Sequence, residues 1–150
     1  NTVVYAVKGL NLYKNKTLTG KLFHYEKTSR TNAPVFVITG YAMDNGKLRY
    51  RVKDINHKTK SAGMVGYITA SSKYTQPVYY ATLPKNKRIK VINGHGIFVY
   101  QNKSLSKRAQ HLKLGKVVKV KAIKNYHLTT RYQLTNGQWI TGNKKLVTKF

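Results

Sequence analysis

The chain has 150 residues and no cysteine, which excludes disulfides, thiolate metal sites and thiol catalysis. It carries 29 Lys and Arg residues against three acidic residues, a formal net charge of +26 at pH 7. Self-repulsion at this density destabilises a compact state, and a polyanionic partner is the simplest reason for it. Because the chain begins with Asn1 and no apolar run is long enough to cross a bilayer, we expect a processed or excised segment without membrane insertion.

An internal repeat organises the chain. The segment LYKNKTLTG at 12–20 matches VYQNKSLSK at 99–107, RYRV at 49–52 matches RYQL at 131–134, and YITA at 67–70 matches WITG at 139–142. Three matched blocks in the same order predict two copies of one small domain. We place the first copy at 1–76, a linker rich in proline and polar residues at 77–87, and the second copy at 88–150.

The first copy has the pattern of short strands. Residues 35–38 form a β-branched run, and Asn45 and Gly46 give a turn signal before the next strand. In that strand Leu48, Tyr50 and Val52 alternate with Arg49 and Arg51, which predicts tyrosine facing the core and arginine facing outward. Since the second copy is shorter here, residues 56–63 are predicted to be an extra surface loop.

The second copy repeats this pattern. Residues 107–114 hint at a helical turn, and residues 117–120 form another β-branched run. Asn136 and Gly137 lie between the 131–134 and 139–141 strands, which predicts a two-residue hairpin of type I′. Short strands punctuated by turns over about 65 residues indicate an all-β fold, with each copy forming a small SH3-like β-barrel.

The repeated blocks resemble the cell-wall-binding repeats of surface-layer and S-layer-associated proteins of lactic-acid bacteria, called SLAP domains. The likeness lies in VYQNKSL at 99–105, in the L-x-x-G-x-x-V-x-V pattern at 112–120, and in TRYQLTNGQWITGNKK at 130–145. This resemblance implies two tandem SH3-like barrels, secretion by a Gram-positive bacterium, no catalysis, and anchoring to wall teichoic or lipoteichoic acid. The chain departs from that pattern at Trp139, where tyrosine is frequent, and in its longer first-copy hairpin.

Cations in matched positions are the candidate polyanion ligands. A flexible phosphate chain needs an array of cations, and guanidinium groups bind phosphate oxygens in a bidentate fork. For any single lysine, a solvated surface role is at least as good an interpretation. The candidates are Lys16, Arg49, Arg51, Lys73, Lys103, Arg131, Lys144 and Lys145.

Aromatic side chains are the second candidate group. Exposed rings stack on sugar faces, and the candidate platforms are Tyr67, Tyr79, Tyr80 and Trp139. Tyr50 and Tyr132 are instead predicted to be core residues, because each lies on the apolar side of an alternating strand.

Catalytic and metal-binding chemistry is not indicated. The five histidines show no metal-ligand spacing, and Glu26, Asp44 and Asp54 do not suggest an acid–base pair. We therefore expect no enzyme activity, no metal and no cofactor.

The sequence thus predicts a non-catalytic, secreted module that anchors a surface protein to anionic wall polymers in the cell wall or S-layer. Further S-layer subunits are candidate partners. We expect the anion-binding surface near a groove shared by the two copies. One alternative is a basic β-barrel that binds nucleic acid, ranked second because no RNA-binding motif is present. Others are the wall-targeting module of a peptidoglycan hydrolase and a building block of a surface lattice.

Overall fold

The structure is a computed structural model that describes residues 2–150. It confirms the all-β prediction, since the described residues contain fourteen strands, one 3-10 turn at Arg30–Asn32, and no α-helix. The chain divides into two compact units, one ending at Val78 and the other spanning Tyr79–Phe150. Residues 79–87, assigned to the linker from sequence, lie within the second unit.

The two units have the same strand order. The first contains β1 (Val3–Ala6), β2 (Leu10–Tyr13), β3 (Lys21–Tyr25), β4 (Val35–Asp44), β5 (Lys47–Asp54), β6 (Val65–Thr69) and β7 (Thr75–Pro77). The second contains β8 (Arg88–Val91), β9 (Ile97–Tyr100), β10 (Arg108–Leu112), β11 (Val117–Tyr126), β12 (Thr129–Leu134), β13 (Trp139–Thr141) and β14 (Val147–Thr148). The antiparallel sheets run β3-β2-β6-β5-β4-β1-β7 and β10-β9-β13-β12-β11-β8-β14. Each order has two ends, so neither sheet is a closed barrel.

Each sheet curves around one apolar core. In the first unit, strands β1 to β6 all contribute to a single buried cluster whose fully buried members include Leu12, Phe36, Val52 and Ile68. The second cluster is built the same way around Tyr132 and Ile140, each 0% exposed. Because a core needs apolar surface on both sides and no helix covers it, the sheet itself must wrap around these residues.

The long hairpins confirm the predicted alternation at three of its five tyrosine and arginine positions, and a fourth, Arg131, is half-buried. Tyr132 is fully buried, Tyr50 packs against the first core, and Arg51 is exposed. The prediction for Arg49 is wrong, because its side chain is only 8% exposed. A position that faces away from the core can still be covered by a neighbouring loop, and that loop is described below.

The turns differ from the sequence prediction in one respect. Asn45 and Gly46 have φ values of 48° and 75° and join the paired residues at the ends of β4 and β5, as a type I′ turn requires. In the second unit the two-residue prediction is wrong, since Gly137 (φ 89°) follows a turn closed by its N–H to the Leu134 carbonyl at 2.9 Å. Because Thr135 is also outside the strand pairing, the loop has three residues, with glycine in the left-handed position.

The predicted extra loop at 56–63 is present between β5 and β6. A buried carboxylate holds it in place: Asp54 is 1% exposed and accepts hydrogen bonds from Tyr25 Oη at 2.6 Å and from the Asn56 backbone N–H at 2.7 Å. Burial and this carboxylate raise the pKa of Tyr25. The helical turn suggested at 107–114 is wrong, because 108–112 pairs with β9 as strand β10.

A glycine at the β2–β6 contact provides a stability test. A Cβ added to Gly66 would lie 2.6 Å from the Tyr13 carbonyl oxygen, whereas nothing lies within 4 Å of one added to Gly94. We expect Gly66→Ala to lower the free energy of unfolding of the first unit by about 1–3 kcal/mol, because backbone must shift to admit the methyl group. Urea unfolding followed by circular dichroism measures this.

Gly94→Ala is the matched control. It should leave stability unchanged or slightly higher, since alanine reduces the freedom of the unfolded chain without creating a clash. Equal destabilisation by the two substitutions would contradict the described β2–β6 packing.

Candidate functional site

Each unit carries a groove at the same place in its fold. The first groove encloses about 490 Å³ and the second about 340 Å³, within the range of roughly 300–1,000 Å³ seen for small-molecule sites. Both are lined by the strand that precedes the repeated loop, by the leucine of that loop and by a threonine of the "I-T" strand. The matched lining positions are Gly9 and Gly96, Leu10 and Ile97, Asn11 and Phe98, Tyr13 and Tyr100, Leu18 and Leu105, and Thr69 and Thr141.

One arginine clamps the loop beside each groove. Arg49 Nε donates a hydrogen bond to the Lys16 carbonyl at 3.2 Å, and Arg131 Nε donates to the Lys103 carbonyl at 3.1 Å. Hydrogen bonds from a guanidinium are charge-assisted, so each contact ties the loop firmly to the central strand. The matched blocks of the sequence repeat therefore lie next to one another and form the wall of the groove.

The clamped loops, residues 15–19 and 102–106, are locally strained. Leu18 and Leu105 have φ values of 58° and 56°, a conformation that bulky residues rarely adopt. An asparagine closes each loop: Asn15 Nδ2 donates to Thr19 Oγ1 at 3.1 Å, and Asn102 Nδ2 donates to Ser106 Oγ at 2.6 Å. Strain of this kind persists only where surrounding contacts impose it, and here it turns both leucines toward the grooves.

The first groove is polar and cationic. Lys47, Arg49 and His24 line it together with Asn11 and Tyr13. His24 Nε2 lies 3.0 Å from the exposed Glu26 carboxylate, and its Nδ1 bonds to Asn11 Oδ1. Positive charge beside amide and phenol groups suits an anionic ligand that also offers hydroxyl groups.

The second groove is aromatic with cations at its border. Phe98 replaces the asparagine of the first groove, and its ring lies 6.4 Å from that of Tyr100 and 5.0 Å from that of His111. The Arg108 guanidinium lies over the Phe98 ring at 4.0 Å from its centroid, close enough for a cation–π interaction. Rings beside guanidinium groups can contact the faces of sugars and the phosphates that link them.

Burial changes the acid–base properties of three groups around the second groove. Burial raises the pKa of Tyr79, while Arg131 and the hydrogen bond with Asn143 oppose that shift. Burial lowers the pKa of Arg131, and the neighbouring tyrosines oppose this. Burial also lowers the pKa of Lys145. These cations are partly desolvated already, so less hydration must be removed when an anion reaches them.

The structure brings Tyr67 and Trp139 to equivalent places on the outer sheet faces. Tyr67 is directly opposite Tyr13 on one side and Arg51 on the other. Trp139 is likewise opposite Tyr100 on one side and Gln133 on the other. Directly opposed residues share a sheet face, so each candidate ring continues the surface that leads to its groove.

The remaining candidates are more scattered. Lys16, Lys73 and Lys103 are exposed, and the first and third contribute their carbonyls to the clamps. Lys144 lies 5.3 Å from the Tyr80 ring centroid. That ring packs against the second core, 6.2 Å from Tyr132. Its contacts fit a structural role for Tyr80 better than sugar stacking.

Sequence reasoning missed Phe98, Arg108 and the two groove tyrosines as site residues. Tyr13 and Tyr100 are matched in the repeat, and that signal was available. Phe98 lines the second groove and Arg108 lies over its ring. Both differ from their counterparts in the first copy, so only the folded register of β9 and β10 brings them together.

Residues 2–150 offer no group of three or more His, Asp and Glu side chains that could hold a metal ion. In the same range, no helix has the length and apolar character needed to span a membrane.

Residues 79–147 match the model of a family described as a domain of unknown function, DUF5776. The matched range begins at the first residue of the second unit and ends within β14. No curated protein matches the chain.

The clamp gives a matched test within one strand. Arg49→Met keeps the apolar stem but removes the hydrogen bond to Lys16, and should lower the free energy of unfolding by about 1.5–3 kcal/mol. Arg51→Met, two residues along and exposed, should change it by no more than about 0.5 kcal/mol. Urea unfolding of both variants measures this. An equal change in the free energy of unfolding for the two variants would show that the clamp does not stabilise the protein.

Proposed function

We propose that this protein is a non-catalytic anchoring module of a secreted surface protein, such as an S-layer protein, in the wall of a Gram-positive bacterium. Its ligand is an anionic wall polymer of the teichoic or lipoteichoic acid class. The two grooves bind successive parts of that polymer, cations taking the phosphates and aromatic rings contacting the sugars.

The observation that carries the proposal is a groove repeated with its arginine clamp in a chain that has almost no internal counter-charge. Of the three acidic residues, Asp54 is buried in hydrogen bonds and Glu26 lies beside His24. The 29 basic residues therefore cannot be neutralised within the protein. A polymer with one phosphate per repeat supplies the missing charge, and release of its counterions favours binding.

Duplication of the groove suits a repeating ligand. When one groove holds the polymer, the linked second groove meets further repeats at a high effective concentration. Two weak sites on one chain therefore produce strong retention on a long polymer, without either site being tight. A single-site ligand would gain nothing from this arrangement.

The proposal includes an SH3-like architecture for each unit, formed as an open, strongly curved sheet. The support is the sharing of one core by six strands and the β-bulges between Ile38 and Gly40 and between Val120 and Ala122. Bulges increase local twist and bend a strand, as curling a sheet over its own core requires.

The main rival is single-stranded nucleic acid, which also presents phosphates and stacking rings. We rank it second because the sequence carries no RNA-binding motif and its lysines are dispersed over all segments of the chain, not along one stripe. A wall-hydrolase parent remains compatible with the same binding activity.

Isothermal titration of the full chain with purified teichoic acid, across a sodium chloride series, tests the proposal. The logarithm of affinity should fall linearly with the logarithm of salt, by roughly 0.7 per phosphate neutralised. Single-stranded DNA added as competitor should displace the polymer only at much higher phosphate concentration. Absence of binding, or stronger binding to DNA, would refute the proposed function.

Paired charge variants test whether the grooves are the site. Lys47→Gln with Arg108→Gln removes one cation from each groove region and should flatten the salt dependence by roughly 1.4, two phosphates at 0.7 each. Lys60→Gln with Lys116→Gln removes the same charge from exposed loops outside the grooves and should change the slope much less. Equal effects would mean that charge acts diffusely and the grooves do not bind.

A further inference from the structure

Four cations of the second unit occupy places where the first unit has uncharged residues. The pairing of β8 with β11 corresponds to that of β1 with β4, since Arg88 lies directly opposite Lys119 as Val3 lies opposite Val37. The flanking positions are matched by one further backbone hydrogen bond and by the register shift that both long hairpins share. The equivalent positions are Lys87 and Thr2, Arg88 and Val3, Lys119 and Val37, and Lys121 and Thr39. We call these four basic residues the cation cluster.

The cation cluster has no counter-charge from an acidic side chain of its own unit. Its four side chains are exposed, and the three acidic residues of the chain, Glu26, Asp44 and Asp54, all belong to the first unit. Like charges directly opposite one another across antiparallel strands destabilise the pairing. Because valines support the same pairing in the first unit, the fold does not require the charge. The cation cluster therefore has a role outside the packing of the second unit.

The backbone fixes the cation cluster at one end of the β8–β11 pairing. Lys87 has a φ of 55°, which residues other than glycine rarely adopt, and its N–H donates to the Pro84 carbonyl at 3.0 Å. The Asn86 side-chain carbonyl accepts a hydrogen bond from the Arg88 N–H at 3.1 Å. On the other strand, the β-bulge leaves Lys121 outside the ladder. Since this backbone is already ordered, less conformational freedom is lost when a ligand binds.

We propose that the cation cluster is a phosphate-binding site on the open sheet face of the second unit. The lining of the second groove does not include any of its four residues, so the two sites are separate. The ligand is a phosphodiester group within the anionic polymer, and the identity of that polymer rests on the proposed function. The polymer thus gains a third contact that neither groove supplies.

The geometry of the opposed pair suits a phosphate. Side chains directly opposite on antiparallel strands have Cβ atoms about 4.5–5.5 Å apart, so the Arg88 and Lys119 side chains can reach oxygens of the same phosphate. The guanidinium donates two parallel hydrogen bonds, and the ammonium adds a compact charge. A bound phosphate offsets the repulsion between the two cations. An open face also lets a polymer continue in both directions from the bound group.

Arginine side-chain NMR tests the site directly. With ¹⁵N-labelled arginine in the full chain, sodium phosphate at constant ionic strength should shift the Arg88 Nε–H signal saturably at millimolar concentrations. The control is the signal of Arg51, which is also exposed on a strand but lies opposite Gly40 and Tyr67. Because neither neighbour is a cation, the Arg51 signal should shift little and should not saturate in the same range.

Two valine variants show whether the opposed pair or the total charge holds phosphate. Lys119→Val introduces the residue found at the equivalent position of the first unit, and should weaken phosphate binding at Arg88 about threefold, the scale of one exposed ion pair. Lys90→Val removes the same charge two residues from Arg88, but from a position opposite Val117 and Thr148. It should weaken phosphate binding much less.

Stability without ligand gives a second measurement. Trp139 is the only tryptophan and lies in the second unit, so its fluorescence follows the unfolding of that unit in urea. Lys119→Val should raise the urea midpoint at low salt because it removes the repulsion with Arg88. That gain should shrink at about 1 M sodium chloride, where the screening length is about 3 Å. Lys90→Val should raise the midpoint less and with a weaker dependence on salt.

An unmoved Arg88 signal, equal shifts of Arg88 and Arg51, or equal effects of the two valine variants on phosphate binding or on the urea midpoint would overturn the proposal. A larger response of Arg88 to phosphatidylglycerol vesicles than to teichoic acid, at equal phosphate concentration, would also overturn it, since the ligand would then be a lipid surface. Phosphate binding at Arg88 in a chain that does not bind teichoic acid would refute the proposed function and sustain the phosphate site. An unresponsive Arg88 in a chain that binds teichoic acid would refute the phosphate site alone.

Discussion

The structure depends on keeping 29 cationic side chains apart from one another while each of the two units buries a small apolar core. Ordinary domains balance such charge with carboxylates, but this chain has three acidic residues in all. Backbone carbonyls and aromatic rings contact some of the cations instead. Arg49 and Arg131 bond to loop carbonyls, and Arg108 lies over Phe98. These contacts orient a cation without neutralising it, so the charge stays available to an external anion.

Duplication preserved the frame and changed the contents of the groove. The clamp, the strained leucine and the asparagine-closed loop occur in both units, which places the same wall at both sites. The lining diverged from asparagine to phenylalanine between Asn11 and Phe98. Under the proposed function, a frame with constant geometry and variable lining would let one module contact both the phosphates and the sugars of the polymer.

Repeat matching and strand alternation predicted much of the fold, because both follow from local pattern. They identified the duplicated all-β organisation, the buried Tyr132, the exposed Arg51 and the extra loop at 56–63. They failed where a neighbouring segment determines the exposure of a side chain or the length of a turn. Arg49 faces away from the core but lies under a loop, and Gly137 terminates a turn that takes in a third residue. Phe98 of the second groove and Arg108, which lies over its ring, come together only through the pairing of β9 with β10.

The proposed function requires wall phosphates to hold this protein on the cell surface. The most direct measurement is sedimentation of the full chain with purified Gram-positive walls, before and after acid extraction of teichoic acids, across a salt series. Strong retention on intact walls should fall steeply as salt rises, and little protein should be retained on extracted walls. Equal retention on both, insensitive to sodium chloride, would contradict it.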